Sequence, residues 1–325
     1  MQQVLITGGT GSVAGAIVER LLADPAVERI AIYSRDEHKQ GDMMQRVAER
    51  GTPFDFFLGD ICDEEALFRA LAGIDTVIHT AAMRLVPHAE ANPAECHRIN
   101  VGGANALTRA VGRSDVSKVV AISSDKAVAP STIYGTTKFA MERILVDADK
   151  RQNARYSLVR YANVIDTRSS VAPLFLKQKE SGVLTITDPD MTRFSIAKRD
   201  GVDLVMTAVT DGLGGDIFMP ISPSYRVGDM AKAIAPDAEH RIIGSRPGEK
   251  MHEIMFSMVE SPQVVKRGAN YVFLPRTGRW DVAPYCEQTG ATKLETLFEY
   301  GSGDNDQWLS VDDIRSVLRD EGMIA

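Results

Sequence analysis

At 325 residues the chain can hold one large or two modest domains with ample core, and 44% hydrophobic with 25% charged residues is ordinary for a soluble globular protein. A formal net charge of −7 argues against general nucleic-acid binding, which needs a basic surface, while a few local arginines would still serve a small anionic ligand. Cys62, Cys96 and Cys286 are odd in number, far apart and in no CxxC spacing, so reduced thiols in a cytoplasm are expected rather than a disulfide framework.

The first apolar run, Val4-Leu5-Ile6, reads as a strand and leaves no room for a signal peptide, and Val13, Ile17 and Leu21 then recur at helical spacing. Further strands are expected from Arg29 to Tyr33, Phe56 to Leu58, Thr76 to Ile78, Val119 to Ile122 and Ser157 to Val159, with a helix from about Ser131 to Asp149. Apolar strands alternating with helices predict an α/β fold: a Rossmann-type, doubly wound parallel sheet over residues 1–165. Beyond Asn163 the alternation weakens and Pro and Gly become frequent, which predicts a smaller C-terminal substrate-binding lobe over 166–325, with a strand near 216–221 returning to the main sheet. Near the end, Ser310 opens a capping box with Asp313, and Val311, Ile314, Val317 and Leu318 form one apolar face. No apolar run approaches the roughly 18 residues of a membrane helix. The six histidines form no HExxH or His/Cys cluster, so no metal site is expected; His252-Glu253 comes nearest and reads better as part of a surface helix.

Thr7-Gly8-Gly9-Thr10-Gly11-Ser12-Val13-Ala14 joins the first strand to the first helix. Glycines allow the tight turn and close backbone approach, and the helix amino end favours a pyrophosphate, so Gly8, Thr10, Gly11, Ser12 and Val13 are assigned to a dinucleotide. The second strand ends in Ser34-Arg35-Asp36-Glu37 with Lys39 beyond it. Ser34, Arg35 and Lys39 suit a 2′-phosphate and favour NADP, while Asp36 is a competing signal for the unphosphorylated ribose of NAD. Asp60 and Ile61, after the third strand, are placed to hold the adenine, with a helix cap for Glu64 onward as the other reading of Asp60. Ligands in such sheets bind beyond the carboxyl ends of the strands, and Thr80, Ile122, Ser123 and Val164 fall there too.

Tyr134 and Lys138 are four apart, so a helix brings phenol and ammonium onto one face. Free tyrosine titrates near pH 10. A cation about 4 Å away contributes roughly 4 kcal/mol at an effective dielectric near 20, enough to lower the phenol by about two or three units before desolvation opposes it. Lys138 is read as that cation and as a ligand of the nicotinamide ribose, and Ser124 as a hydrogen-bond partner of the reacting hydroxyl. Asp125-Lys126 adds a second acid and base that simple alcohol oxidation does not need; otherwise it is a capping Asp beside a solvated Lys.

These motifs resemble those of the extended short-chain dehydrogenase/reductases, specifically the inverting UDP-N-acetylglucosamine 4,6-dehydratases. The resemblance runs nearly end to end: Tyr33 to Glu37, His79 to Pro87, Ser123 to Ala127, Tyr134 to Lys138, Val159 to Val164, Met191 to Phe194 and Arg246 to Lys250. It implies a cycle on a UDP-sugar in which Tyr134 deprotonates the hydroxyl on carbon 4 while NADP takes the hydride. Lys126 then removes the hydrogen on carbon 5, Asp125 protonates the departing hydroxyl of carbon 6, and the hydride returns to carbon 6. It also implies that Asn163, Arg193 and Arg246 hold the diphosphate, Glu249 the uridine ribose, and Arg84 a place near substrate and cofactor. A homo-oligomer is implied as well.

Ser124 stands where the family has Thr, Ala162, Asp166 and Ser169 where it has Gly, and Ser195 where it has Trp, which is expected to reshape the sugar pocket. The nearest rival is a UDP-sugar 4-epimerase, which would use Ser124, Tyr134 and Lys138 but has no task for Asp125-Lys126. A non-catalytic NADP-binding regulator could dispense with the Tyr/Lys pair, and this chain keeps both.

Overall fold

Apolar runs without alternation pair side by side here, because a strand covered by helices on both faces has no polar side to show. The structure, a computed structural model, describes residues 1–166 and 170–324. Gln3–Thr7 (β1), Arg29–Ser34 (β2), Phe54–Leu58 (β3), Thr76–His79 (β4), Lys118–Ser124 (β5) and Arg155–Tyr161 (β6) are mutually parallel in the order β3-β2-β1-β4-β5-β6. Strand order therefore reverses between β1 and β4, and the crevice above their carboxyl ends is where such sheets take a ligand.

The expected later strand is Ile217–Pro220 (β7), parallel to β6. Three more strands, which the sequence reading does not anticipate, extend that edge: Val264–Arg267 (β8), Asn270–Phe273 (β9) and Thr292–Lys293 (β10). They run antiparallel, so the sheet is mostly rather than wholly parallel. Four-residue strands joined by a turn at Gly268 (φ +60°) carry too little periodicity to stand out in sequence.

Alternate residues feed two cores. Leu5, Val77, Val119 and Leu158 face one side of the sheet, and Val4, Ile6, Ile78, Val120 and Val159 face the other. A third apolar cluster, around Phe175, Ile186, Met191, Tyr225 and Met230, lies in the later half of the chain. The helix Val311–Asp320 packs into that cluster through Ile314 and Leu318, with Val311 and Val317 partly buried, and its Ser310–Asp313 capping box is present. Among the described residues no helix is long and apolar enough to cross a membrane, and the three cysteines are unpaired.

Candidate active site

The turn after β1 is shaped for close backbone approach. Gly8 has φ +67°, and a Cβ there would lie 2.8 Å from the backbone of Ala81. Gly11 starts the helix Ser12–Leu22 and supplies no side-chain cap, which suits the first-turn amides to an anion. A cleft of about 500 Å³ opens above, lined by Gly8, Gly11, Ser12, Val13, Thr80, Ile122, Ser123 and Val164. A second recess sharing Gly8 and Gly11 is lined by Thr10, Ser34, Arg35, Lys39 and Ile61. These residues fit an extended dinucleotide, with nicotinamide in the cleft and adenosine in the recess.

Several expected cofactor groups are already engaged. Asp36 caps the helix Glu37–Val47, accepting from the Lys39 amide at 3.0 Å and pairing with the Lys39 ammonium at 2.5 Å. The competing carboxylate and one of the two expected phosphate cations thus neutralise each other. The Ser34 hydroxyl accepts from Gln40 at 2.9 Å, and Arg35 is half exposed, 3.9 Å from Asp60. Asp60 is not a cap: Asp63 caps the next helix, while Asp60 accepts from the Cys62 amide and pairs with Arg98 at 3.1 Å. Ser123 lines the cleft, but its hydroxyl donates to Glu142 at 2.5 Å.

Ser124, Lys126 and Tyr134 share one wall of the cleft. The helix Ile133–Arg151, capped by Thr132, carries Tyr134 on its first turn. Gly135 lets that turn approach β5's exit, since a Cβ there would sit 2.2 Å from the Lys126 carbonyl oxygen. The Tyr134–Lys138 expectation needs correction. Burial pushes the Tyr134 phenol up; Lys126, a hydrogen bond with Ser124 and then Arg84 favour the phenolate without overcoming it. Lys138 instead donates to the Ile122 carbonyl at 2.7 Å, and burial drives its pKa down to about 8. One helical turn carries the Lys138 ammonium to the strand end rather than to the phenol, so Lys126, and after it Arg84, are the cations that bear on Tyr134.

Asp125 also departs from expectation. Neither a solvated cap nor open to the cleft, it is fully buried, accepting from the Ser124 hydroxyl at 2.7 Å and from the Lys126 amide at 2.8 Å. Its Oδ2 has no partner among the described residues, and burial pushes its pKa up. Lys126 lies 3.3 Å from Asp125, 3.4 Å from the Asn163 amide oxygen and 3.0 Å from Glu253, and after the opposing cost of burial these two carboxylates hold its pKa above the ordinary value.

Arg84, Asn163, Arg193, Arg246 and Glu249 line the same cleft, with Lys250 and Tyr161. Arg193 is held by the Thr192 carbonyl at 2.7 Å and stands 3.8 Å from Glu249 and 3.9 Å from Glu253. The Arg246–Lys250 turn docks on the helix bearing Tyr134: Ser131 donates to the Gly248 carbonyl at 2.7 Å, and Gly248 adopts φ +77° where a Cβ would meet the Ser131 carbonyl. Of the departures from the family pattern, Ala162 lines the cleft, whereas Asp166 is ion-paired with Lys198 and Ser195 is buried outside the lining. Ser169 lies outside the described residues.

Three groups escaped sequence reading. Glu253 is no part of a surface helix; it is buried in an extended segment against Lys126, while His252 bonds to Thr192 at 2.8 Å. Asn100, within the π-turn Arg98–Gly102, accepts from the Met83 amide at 2.8 Å and donates to Thr137 at 2.9 Å, tying the Ala81–Arg84 loop to the Tyr134 helix. His79, fully buried under the cleft, bonds to Thr7 at 2.8 Å, and burial with nearby Lys138 drives its pKa down to about 3. An imidazole that stays neutral only in the folded state stabilises fully above its unfolded pKa near 6.5, and that stabilisation is lost as pH falls toward about 3. Denaturant titrations between about pH 7 and 4 should show a loss on the order of 3 kcal/mol that His79→Gln flattens.

This build is that of the nucleotide-sugar dehydratase and epimerase superfamily. The chain belongs to its polysaccharide biosynthesis protein family, whose profile matches residues 4–274. It is 37% identical over 328 aligned residues to "UDP-N-acetylglucosamine 4,6-dehydratase (inverting)" of Campylobacter jejuni, covering 98% of this chain and 97% of that one. It is 38% identical over 328 residues to "UDP-glucose 4-epimerase" of Rickettsia bellii, covering 97% and 94%. Among solved structures it resembles Pen from Bacillus thuringiensis, with a TM-score of 0.90, 28% identity and 99% and 98% coverage. The fold alone is shared with the dTDP-glucose 4,6-dehydratase DesIV from Streptomyces venezuelae, solved with NAD and TYD bound (TM-score 0.68, 17% identity, 98% and 97% coverage).

Proposed function

We propose that the protein is an NADP-dependent UDP-N-acetylglucosamine 4,6-dehydratase that inverts carbon 5, a hydro-lyase working as a homo-oligomer. The observation that carries this reading is Lys126, with Asp125 3.3 Å away, on the same cleft wall as Ser124 and Tyr134. A nicotinamide bound in the cleft beside Thr80, Ile122, Ser123 and Val164 would supply reversible hydride chemistry at carbons 4 and 6. Ser124 and Tyr134 orient the carbon 4 hydroxyl and Tyr134 removes its proton; the resulting ketone acidifies carbon 5. Lys126 takes that proton, and Asp125 supplies one to the carbon 6 oxygen by way of Ser124, which lines the cleft: the serine hydroxyl turns from Asp125 to donate to the departing oxygen and accepts the Asp125 proton in exchange. Asn163, Arg193 and Arg246 hold the diphosphate, the two arginines through guanidinium forks that suit phosphate oxygens, Glu249 takes the ribose, and Arg84 stands near substrate and cofactor. NADP is favoured over NAD because Asp36 is spent on its helix and Lys39 while Arg35 stays half exposed at the recess.

A UDP-sugar 4-epimerase is the second reading, favoured by the Rickettsia bellii relative, whose identity matches that of the dehydratase relative within a percentage point. An epimerase gives the Asp125–Lys126 pair nothing to do. Incubation with UDP-N-acetylglucosamine in heavy water separates the two. Loss of one water by mass, with deuterium at an inverted carbon 5 by NMR, is expected; an unchanged mass overturns the dehydratase reading. Mass analysis of the dinucleotide released on denaturation should give NADP.

A further inference from the structure

An acid and a base needed together pose a difficulty at this site. Lys126 must meet carbon 5 as a neutral amine, yet it is an ammonium between two carboxyl groups, Asp125 at 3.3 Å and Glu253 at 3.0 Å. Where Asp125 already holds the proton destined for the departing hydroxyl, the Lys126 proton needs a second acceptor. The third group of the cluster, Glu253, has no assigned part.

We propose that Glu253 is a positioning residue of the elimination step: it accepts the ammonium proton of Lys126, so that Lys126 acts as an amine while Asp125 keeps its own proton. This rests on the dehydratase reading above. Glu253 meets the geometric requirements. It lines the cleft, is 3% exposed, and contacts the Lys126 nitrogen directly through Oε1. Its Oε2 is buried with no partner among the described residues, so the carboxyl can carry a proton without surrendering a hydrogen bond. Its backbone is fixed by the Ser302 hydroxyl, which accepts from the Glu253 amide at 2.9 Å, and by the Ser302 amide, which donates to its carbonyl at 2.8 Å.

The charges facing the cluster fit this division. Lys126, Arg193 and Lys250 hold Glu253 below the usual carboxylate range despite its burial, whereas burial pushes Asp125 up. Tyr134 and Tyr225 also face the cluster, and Glu249 stands 3.8 Å from Arg193 at its edge. In the proposed cycle the set starts as a protonated Asp125, an ammonium at Lys126 and a carboxylate at Glu253. One proton moves from Lys126 to Glu253, and the freed amine takes the carbon 5 proton. The C–H electron pair becomes the carbon 5–carbon 6 double bond, and the carbon 6 oxygen leaves as water with the Asp125 proton. Inversion requires the new proton to reach carbon 5 from the face opposite Lys126, so it comes from solvent. Lys126 keeps the carbon 5 proton as its ammonium, the proton on Glu253 passes through Lys126 to Asp125, and Tyr134 releases the carbon 4 hydroxyl proton to solvent.

The test is Glu253→Gln in the cofactor-loaded enzyme with UDP-N-acetylglucosamine. Reduced nicotinamide should accumulate, because oxidation at carbon 4 is intact, while water loss at neutral pH slows about 10²–10⁴-fold. The remaining rate should climb with pH, since Lys126 must now release its proton to solvent, and Glu253→Asp should recover part of the loss. Water loss at the wild-type rate, or slowing by one factor at every pH without reduced nicotinamide, overturns the proposal. If Glu253→Gln does not fold, Glu253→Asp decides: slowed water loss with reduced nicotinamide building up supports the proposal, and an unaltered pH profile defeats it. A wild-type enzyme that removes no water takes down the dehydratase reading itself, a separate and recognisable result.

Discussion

Tyr134→Phe should lower turnover about 10²–10⁴-fold while leaving the fold and cofactor content intact. In the proposed cycle the Tyr134 phenol takes the proton from the carbon 4 hydroxyl, with Ser124 as its hydrogen-bond partner. Oxidation at carbon 4 precedes every other step, because without the ketone the carbon 5 hydrogen is not acidic. The ring itself packs beside Ala89 and Cys96, and phenylalanine preserves that contact. No reduced nicotinamide should appear with Tyr134→Phe, in contrast to Glu253→Gln. Stopped-flow absorbance of the reduced cofactor checks this, and near-normal turnover would remove Tyr134 from its role. Burial raises the phenol's pKa while Lys126 opposes it, so a substitution that neutralises Lys126 should also slow the first step at neutral pH.

Arg160→Met should cost about 3–5 kcal/mol of stability, the largest structural effect expected from one substitution away from the cleft. Arg160 is fully buried at the carboxyl half of β6. It donates to Glu142 at 2.7 and 3.1 Å, to Glu260 at 3.2 and 3.3 Å and to the Met255 carbonyl at 2.9 Å. Glu142 also accepts from Ser123 at 2.5 Å, next to Ser124 on the cleft wall. Methionine fills much of the volume but strands two carboxylates away from water, and that uncompensated charge is the source of the loss. Denaturant midpoints check it. Glu260→Gln should cost less, because Glu260 is nearer solvent and keeps donors at Ser257. An Arg160→Met protein as stable as wild type would mean that the network contributes nothing net.

Short-range pattern made much of this protein readable in advance. The Gly8–Ala14 turn between a strand and a helix, the six parallel strands up to Tyr161 and the capping box at Ser310 are local features, set by periodicity and by the steric needs of a few neighbouring residues. The same holds for Tyr134 on the first turn of its helix. What escaped depends on side chains distant in the chain meeting in space. Glu253 reads as surface until the β-sheet and the Arg246–Lys250 turn bring it to 3.0 Å from Lys126. Spacing alone pairs Lys138 with Tyr134, whereas the Ile122 carbonyl at the end of β5 claims its ammonium. Asp125 stands beside Lys126 in sequence, yet packing closes it off from the cleft. Charge placement within a buried site is a tertiary property, because desolvation and the choice of partner depend on everything packed around a group, not on its neighbours along the chain.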